Sequence, residues 1–231
     1  MTFSPALLLV FQAGLAYLLG SFPSAYLAGR WTRGLDLRKH GSGNLGATNV
    51  FRVLGPGPGV AVLLVDVSKG ALAVLLLPHL GQAAGSGLAP LPAWWPCVLG
   101  LAAVLGHSYT VFLGFKGGKG VATSLGVFLG LAPLATLCVL AVFGVVFGLT
   151  RMVSAGSLMA SLVLPPALLV LGETAPRSSV VTPGGSWAES RPVLCLGLAL
   201  AVLIWLRHIP NLRRILKGTE NRVGTKKAVQ P

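Results

Sequence analysis

The sequence predicts an all-α integral membrane protein of seven transmembrane helices, a single membrane domain over residues 1–231 with its N-terminus outside and its C-terminus in the cytoplasm. Three observations carry this expectation: an apolar composition, a series of helix-length apolar runs, and basic residues gathered on one side of those runs. Of 231 residues, 54% are hydrophobic and only 10% charged, a balance unlike that of an ordinary soluble domain. The 18 Lys and Arg against 5 Asp and Glu give a net charge of +13. Such charge suits nucleic acid, anionic lipid or anionic substrate, and its distribution along the chain selects among them.

The apolar runs are read in chain order. The first, at residues 4–28, has no basic segment before it and no A-x-A-like site after it, so it is a retained helix and not a signal peptide. Runs at 59–79 and 94–113 approach the ~20 residues that a helix needs to cross a bilayer. None alternates as a barrel strand would. The run 121–150 would measure about 45 Å as one helix, too long for a core of about 30 Å. Pro133 near its middle predicts a split into two short helices of about 14–16 residues each. Runs at 153–171 and 192–206 complete the set.

Charge favours the split. With seven spans, Arg30, Arg33, Arg38, Lys39, Arg52, Lys116, Lys119, Arg151 and the seven basic residues from Arg207 onward all fall on one side. Lys69 lies within a span, and only Arg177 and Arg191 lie opposite. Without the split, Arg151 and the basic tail would cross over, against the tendency of basic loops to remain cytoplasmic. Cys97, Cys138 and Cys195 lie in or at apolar spans without metal-ligand spacing and are read as packing residues.

Three polar stretches then face the cytoplasm, at about residues 30–55, 107–120 and 207–224, whereas the outer loops 80–93 and 172–191 are mostly Gly, Pro, Ser and Ala. The first contains HGSGNLGATNVFR, from His40 to Arg52, which includes a G-x-G-x-x-G pattern. A dinucleotide fingerprint needs a strand before it and a long helix after it. Here a membrane helix precedes it, and Gly55-Pro-Gly-Pro-Gly59 breaks any long helix after it. The remaining reading is a phosphate cradle: backbone N–H groups bared by Gly41, Gly43 and Gly46, Ser42 and Thr48 hydroxyls, Asn44 and Asn49 amides, and the Arg52 cation. The alternative is a tight turn whose polar groups satisfy one another.

The second stretch contains FKGGKGVATS. It fails the P-loop pattern because Gly120 follows Lys119 where Ser or Thr should stand. Lys116 and Lys119, at the start of a helix, nevertheless suit an anion through charge and helix dipole together. In the third, His208, Asn211 and Arg214 recur every three residues and would share a face of a helix, with Pro210 admitted only in its first turn. Glu220, the one acid in the tail, is expected to pair with a nearby Arg. Asp66 and Lys69 lie three residues apart within one span, as an ion pair or as substrate contacts.

GSGNLGATNVFR, GHSYTVFLGFKGGKGVAT and RHIPNLRRILKGTE, in this order and separated by membrane helices, closely resemble the three motifs of the bacterial acyl-phosphate:glycerol-3-phosphate acyltransferases. DVSKG at Asp66–Gly70 also resembles that family's second helix. The resemblance extends from Leu18 to about Gly224, with Pro210 and Ile215 as minor departures. It implies a multi-pass enzyme of the bacterial inner membrane with its active site facing the cytoplasm. A fatty acyl group would pass from acyl-phosphate to the 1-hydroxyl of glycerol-3-phosphate, giving lysophosphatidic acid and phosphate.

By match to those motifs, Ser42, Asn44, Gly46, Asn49 and Arg52 would cradle a phosphate, while Lys116 and Lys119 neutralise the leaving group. His208 and Asn211 would position glycerol-3-phosphate. The general base is His208, His107 or a substrate phosphate oxygen, and the motifs do not choose. No cofactor, metal or nucleic-acid partner is expected, and the oligomeric state is open, a monomer being compatible. No histidine opens an H-x-D acyltransferase box, which argues against the acyl-coenzyme-A-dependent enzymes. An organic-phosphate transporter or a lipid-binding scaffold is the rival reading, although no internal repeat of the transporter kind is present.

Overall fold

The computed structural model describes residues 5–80, 91–172 and 187–224, and all regular structure among them is helical. Expectations for residues 81–90, 173–186 and 225–231, including Arg177 and most of both outer loops, lie outside the described residues. The first apolar run is not one helix. It divides at Phe22-Pro23 into α1, Pro5–Ser21, and α2, Ser24–Arg33, because proline both lacks the N–H and disfavours a helical residue before it. The opening polar stretch contains a short helix of its own, α3, Ala47–Leu54.

Next come α4, Pro56–Leu75, with proline in its first turn, and α5, Trp95–Ser108. The long apolar run breaks at Ala132 as expected, but unevenly: α6, Val121–Leu131, has 11 residues and α7, Pro133–Thr150, has 18. The break falls immediately before Pro133, which takes the first-turn position that costs it no hydrogen bond. Helix α8 is Val153–Leu171, and α9 is Trp187–Leu216, 30 residues long with Pro210 inside it. This corrects the expectation that Pro210 would be confined to a first turn.

Six helical segments are long and apolar enough to cross a membrane, and Val121–Leu131 is a shorter apolar helix, among the described residues. Large apolar side chains face outward, including Leu137, Leu140, Val145 and Leu149 on α7. That is the arrangement expected where the surrounding solvent is hydrocarbon. Cys97 is buried, but Cys138 and Cys195 are exposed, so only the first packs in the core.

Helix directions follow from the contacts. Gln12 meets Trp95 and Ser21 meets Gly106, so α1 and α5 run parallel. Asp66 meets His107 while Gly100 meets Val74, so α4 runs antiparallel to α5. Gly126 lies against Val67 and Ala71, and Gly130 against Val74 and Leu75, so α6 runs parallel to α4. A two-residue link returns the chain from α7 into α8, and Ser154 at its start meets Glu220 beyond the end of α9. The start of α6, the turn between α7 and α8, and the end of α9 therefore share one end of the bundle, where the polar stretches collect.

Candidate active site

At that end the α9 spacing has its expected effect. His208 and Asn211 are buried and Arg214 half-buried, one helical turn apart on a single face. The backbone then turns at Gly218, and the carboxylate of Glu220 folds back onto the helix. It accepts from Asn211 Nδ2 at 2.7 Å, Ser154 Oγ at 3.0 Å and Arg214 Nε at 2.7 Å. The expected Glu220–Arg pair is thus formed. Val223 N–H donates to Arg151 O at 2.8 Å, which ties the same segment to the α7–α8 turn.

Lys119 joins this cluster from the loop before α6, its ammonium donating to Asn211 Oδ1. Burial lowers this ammonium to about 8, with Arg214, Arg207 and Arg52 pushing the same way and Glu220 opposing. Arg52 is exposed, reaches Asn49 Oδ1 at 3.4 Å and feels the charges of Glu220 and Arg214. His208 Nδ1 lies 2.8 Å from Ile204 O. A carbonyl only accepts, so Nδ1 carries the proton and Nε2 keeps the lone pair. The result is a group of three cations and one acid, with an imidazole acceptor beside them, a net positive environment suited to phosphate oxygens.

The glycine-rich loop is largely self-satisfied. Gly41 and Gly43 have positive φ, 64° and 72°, whereas Gly46 is extended at −130°. The Gly43 N–H donates to His40 O and the Ser42 N–H to Asn49 Oδ1. Asn49, 1% exposed, also donates to Leu37 O and His40 O. Its amide is therefore committed to bracing the loop, contrary to the substrate-binding role expected from the motif. Asn44 places its amide nitrogen against Gly46 at the start of α3. Ser42 and Arg52 remain exposed for a ligand.

Two further expected residues have neighbours of their own. Lys116 does not accompany Lys119: it is exposed and lines a cleft of about 410 Å³ with Asp36, Arg38, Lys39 and Gly43. In that cleft the Arg38 guanidinium, bonded to Asp36 at 2.7 Å, holds the Asp36 carboxyl down at about 2. His107 is buried, its Nδ1 3.7 Å from Asp66 Oδ1 and its ring against Gly118, the residue before Lys119. Asp66 and Lys69 do form their ion pair, at 2.6 Å.

Two participants carried no expected role. Ser154 is signalled only by a polar stripe, Ser154, Ser157 and Ser161, all buried on one face of an otherwise apolar helix. Arg207 donates to Gly117 O at 3.1 Å and Gly118 O at 2.8 Å, clamping the loop that presents Lys119.

Similarity to known proteins extends over nearly the whole chain. A family model described as glycerol-3-phosphate acyltransferase matches residues 10–218. A glycerol-3-phosphate acyltransferase of Synechococcus sp. (strain CC9902) is 45% identical over 212 residues, 92% of this chain and 94% of the relative. One from Geobacter sulfurreducens is 44% identical over 208 residues, 90% and 93% of the two chains. Among solved structures, the glycerol 3-phosphate form of PlsY (YgiH), an integral membrane glycerol 3-phosphate acyltransferase, superposes with a TM-score of 0.77 at 38% identity. It covers 94% of this chain and 96% of that one. The lysophosphatidic acid form gives 0.75 at 36% identity with the same coverage.

Proposed function

Because the chain belongs to the glycerol-3-phosphate acyltransferase family, we propose that it acylates the 1-hydroxyl of glycerol-3-phosphate, with acyl-phosphate as donor, to give lysophosphatidic acid and inorganic phosphate. The observation that carries this reading is the convergence of Asn211, Arg214 and Ser154 on Glu220, with Lys119 bonded to Asn211 and Arg52 within electrostatic reach. Both substrates bring phosphate to the same small volume, so the reaction needs several cations held without mutual repulsion. Glu220 offsets part of that repulsion, and the Arg207 clamp keeps Lys119 in place.

In the reaction the glycerol hydroxyl attacks the acyl carbonyl, the carbonyl carbon–phosphate oxygen bond breaks, and phosphate leaves as the anion. An activated mixed anhydride needs no nucleotide to drive this step. Lys119 and Arg52 stabilise charge that grows on the leaving oxygen. Ser42 donates to phosphate, and Asn211 and Arg214 orient the second substrate. Lys116, Gly41 and Gly43 belong to the approach, beside the cleft that Lys39 shares. The hydroxyl proton passes to His208 Nε2 or to a substrate phosphate oxygen. His208→Gln separates these, since it abolishes the first route and spares the second.

The chain crosses the bacterial inner membrane seven times, N-terminus outside, with this site at the cytoplasmic face. Support comes from the helix directions, which return the chain to one end at residues 121 and 151, and from fifteen of 18 basic residues that the sequence assigns to that side. At about 16 Å, α6 is the short crossing.

Purified protein incubated with acyl-phosphate and glycerol-3-phosphate, without ATP or metal, should release lysophosphatidic acid and phosphate in equal amounts. Activity only with acyl-coenzyme A or acyl carrier protein would overturn the donor assignment. Absence of turnover with every donor would overturn the enzymatic reading.

A further inference from the structure

A buried polar knot lies beneath the catalytic loop. Asp66 of α4 is 0% exposed, Lys69 3% and His107 of α5 7%. Asp66 Oδ1 accepts from Ser24 Oγ at 2.6 Å and from Lys69 Nζ at 2.6 Å, and His107 Nδ1 approaches it at 3.7 Å. Lys69 also donates to Phe22 O at 2.6 Å, at the break between α1 and α2. One carboxylate oxygen therefore joins α4, α5 and the α1–α2 break.

His107 extends this knot to the catalytic loop by two separate contacts. Its carbonyl accepts the Gly118 N–H at 3.0 Å, beside Gly117 N–H to Ser108 O at 3.2 Å. Its imidazole lies so close to Gly118 that a Cβ there would overlap Nε2. Gly118 directly precedes Lys119. A change in the imidazole's orientation therefore moves the residue from which the Lys119 ammonium is delivered.

We infer that Asp66, acting through His107, is a positioning residue for Lys119: the buried carboxylate fixes the imidazole, and the imidazole seats Gly118. This rests on the reading that Lys119 holds a substrate phosphate. The knot is more than a helix staple because its contact with the loop runs through a side chain and not only through packed backbone.

Kinetics of the purified full chain with acyl-phosphate and glycerol-3-phosphate, together with thermal unfolding, test this. His107→Gln keeps a buried polar group, and Asp66→Asn with Lys69→Gln removes both charges together so that neither is left unpaired. Each should raise KM for the substrate that Lys119→Ala also weakens by at least about tenfold, with a smaller change in kcat. In the Lys119→Ala background the same substitutions should add less than about twofold, because the path they act through is gone. Additive effects, or a lowered folded fraction with KM unchanged, would overturn the inference. If Lys119→Ala itself leaves both KM values unchanged, it is the reading of the site that fails; if only the knot variants do, the positioning role fails alone.

Discussion

Asn211 donates its amide to Glu220 across 2.7 Å while its own carbonyl oxygen accepts from Lys119. The acid therefore orients the amide, and the amide holds the cation. Removing the carboxylate strands Asn211, Ser154 and Arg214 together. Hydrogen bonds to charged groups contribute about 1.5–3 kcal/mol each, less for the half-exposed Arg214. Glu220→Ala is expected to lower the unfolding temperature in detergent and to abolish most turnover, whereas Glu220→Gln, which keeps an acceptor, should recover most of the stability. A Glu220→Ala protein with normal unfolding and normal turnover would contradict this.

Arg52 tests whether the loop contacts phosphate or only supplies charge. Its guanidinium is exposed and near Glu220 and Arg214. Arg52→Ala should lower kcat/KM by at least about tenfold, the cost of one charge-assisted hydrogen bond. Arg52→Lys should stay well below wild type, because an ammonium does not reproduce the planar fork. Ser42→Ala should likewise reduce kcat/KM about tenfold, since its hydroxyl is exposed while its N–H is already spent on Asn49. Full activity in Arg52→Lys would mean that this position supplies charge alone.

Much of this architecture was legible because membrane helices announce themselves by length and composition, and because Pro133 marks its own break. The face shared by His208, Asn211 and Arg214 followed from spacing alone. What spacing does not carry is direction at glycines: Lys116 and Lys119 are separated only by Gly117 and Gly118, yet Lys116 lines the Asp36 cleft while Lys119 bonds Asn211. Nor does residue type reveal whether an amide is spent. Asn49 looked like a ligand and is a brace, because its partners, the Leu37 and His40 carbonyls, come from a turn that only the fold brings close. Pro23 was hidden inside a continuous apolar run. Pro210 misled in the opposite sense, since a helix held by neighbouring elements tolerates the break that an isolated one would not.

Helix α4 packs closely on α6, the helix that Lys119 precedes. A Cβ at Gly70 would overlap Thr123 O, and one at Gly126 would overlap Val67 O, whereas one at Gly144 of α7 would meet nothing within 4 Å. Small residues at such crossings allow backbones to approach. Gly70→Ala and Gly126→Ala should each destabilise by about 1–3 kcal/mol, as overpacking does. Gly144→Ala should be neutral or slightly stabilising. Equal unfolding temperatures for all three variants would refute the close approach.

Lys119 predicts the alkaline limit of activity. With its ammonium lowered to about 8, principally by burial, the charged form dominates below that pH and is lost as pH rises through it. Phosphate monoesters, with a second pKa near about 6, are already dianionic there, so the substrates do not change charge over the same interval. Bound phosphate favours the ammonium, which places the limit in the free enzyme and therefore in kcat/KM. That quantity should change little near pH 7, be halved at about pH 8 and then fall by up to about tenfold per unit. The same group affects stability with a definite sign. Between about 8 and its ordinary value near 10.5, the folded chain binds fewer protons than the unfolded one, so stability should rise with pH across that window. Lys119→Arg, which does not deprotonate, should erase both effects even where its rate is low. An alkaline limb that persists in Lys119→Arg would assign it to another group.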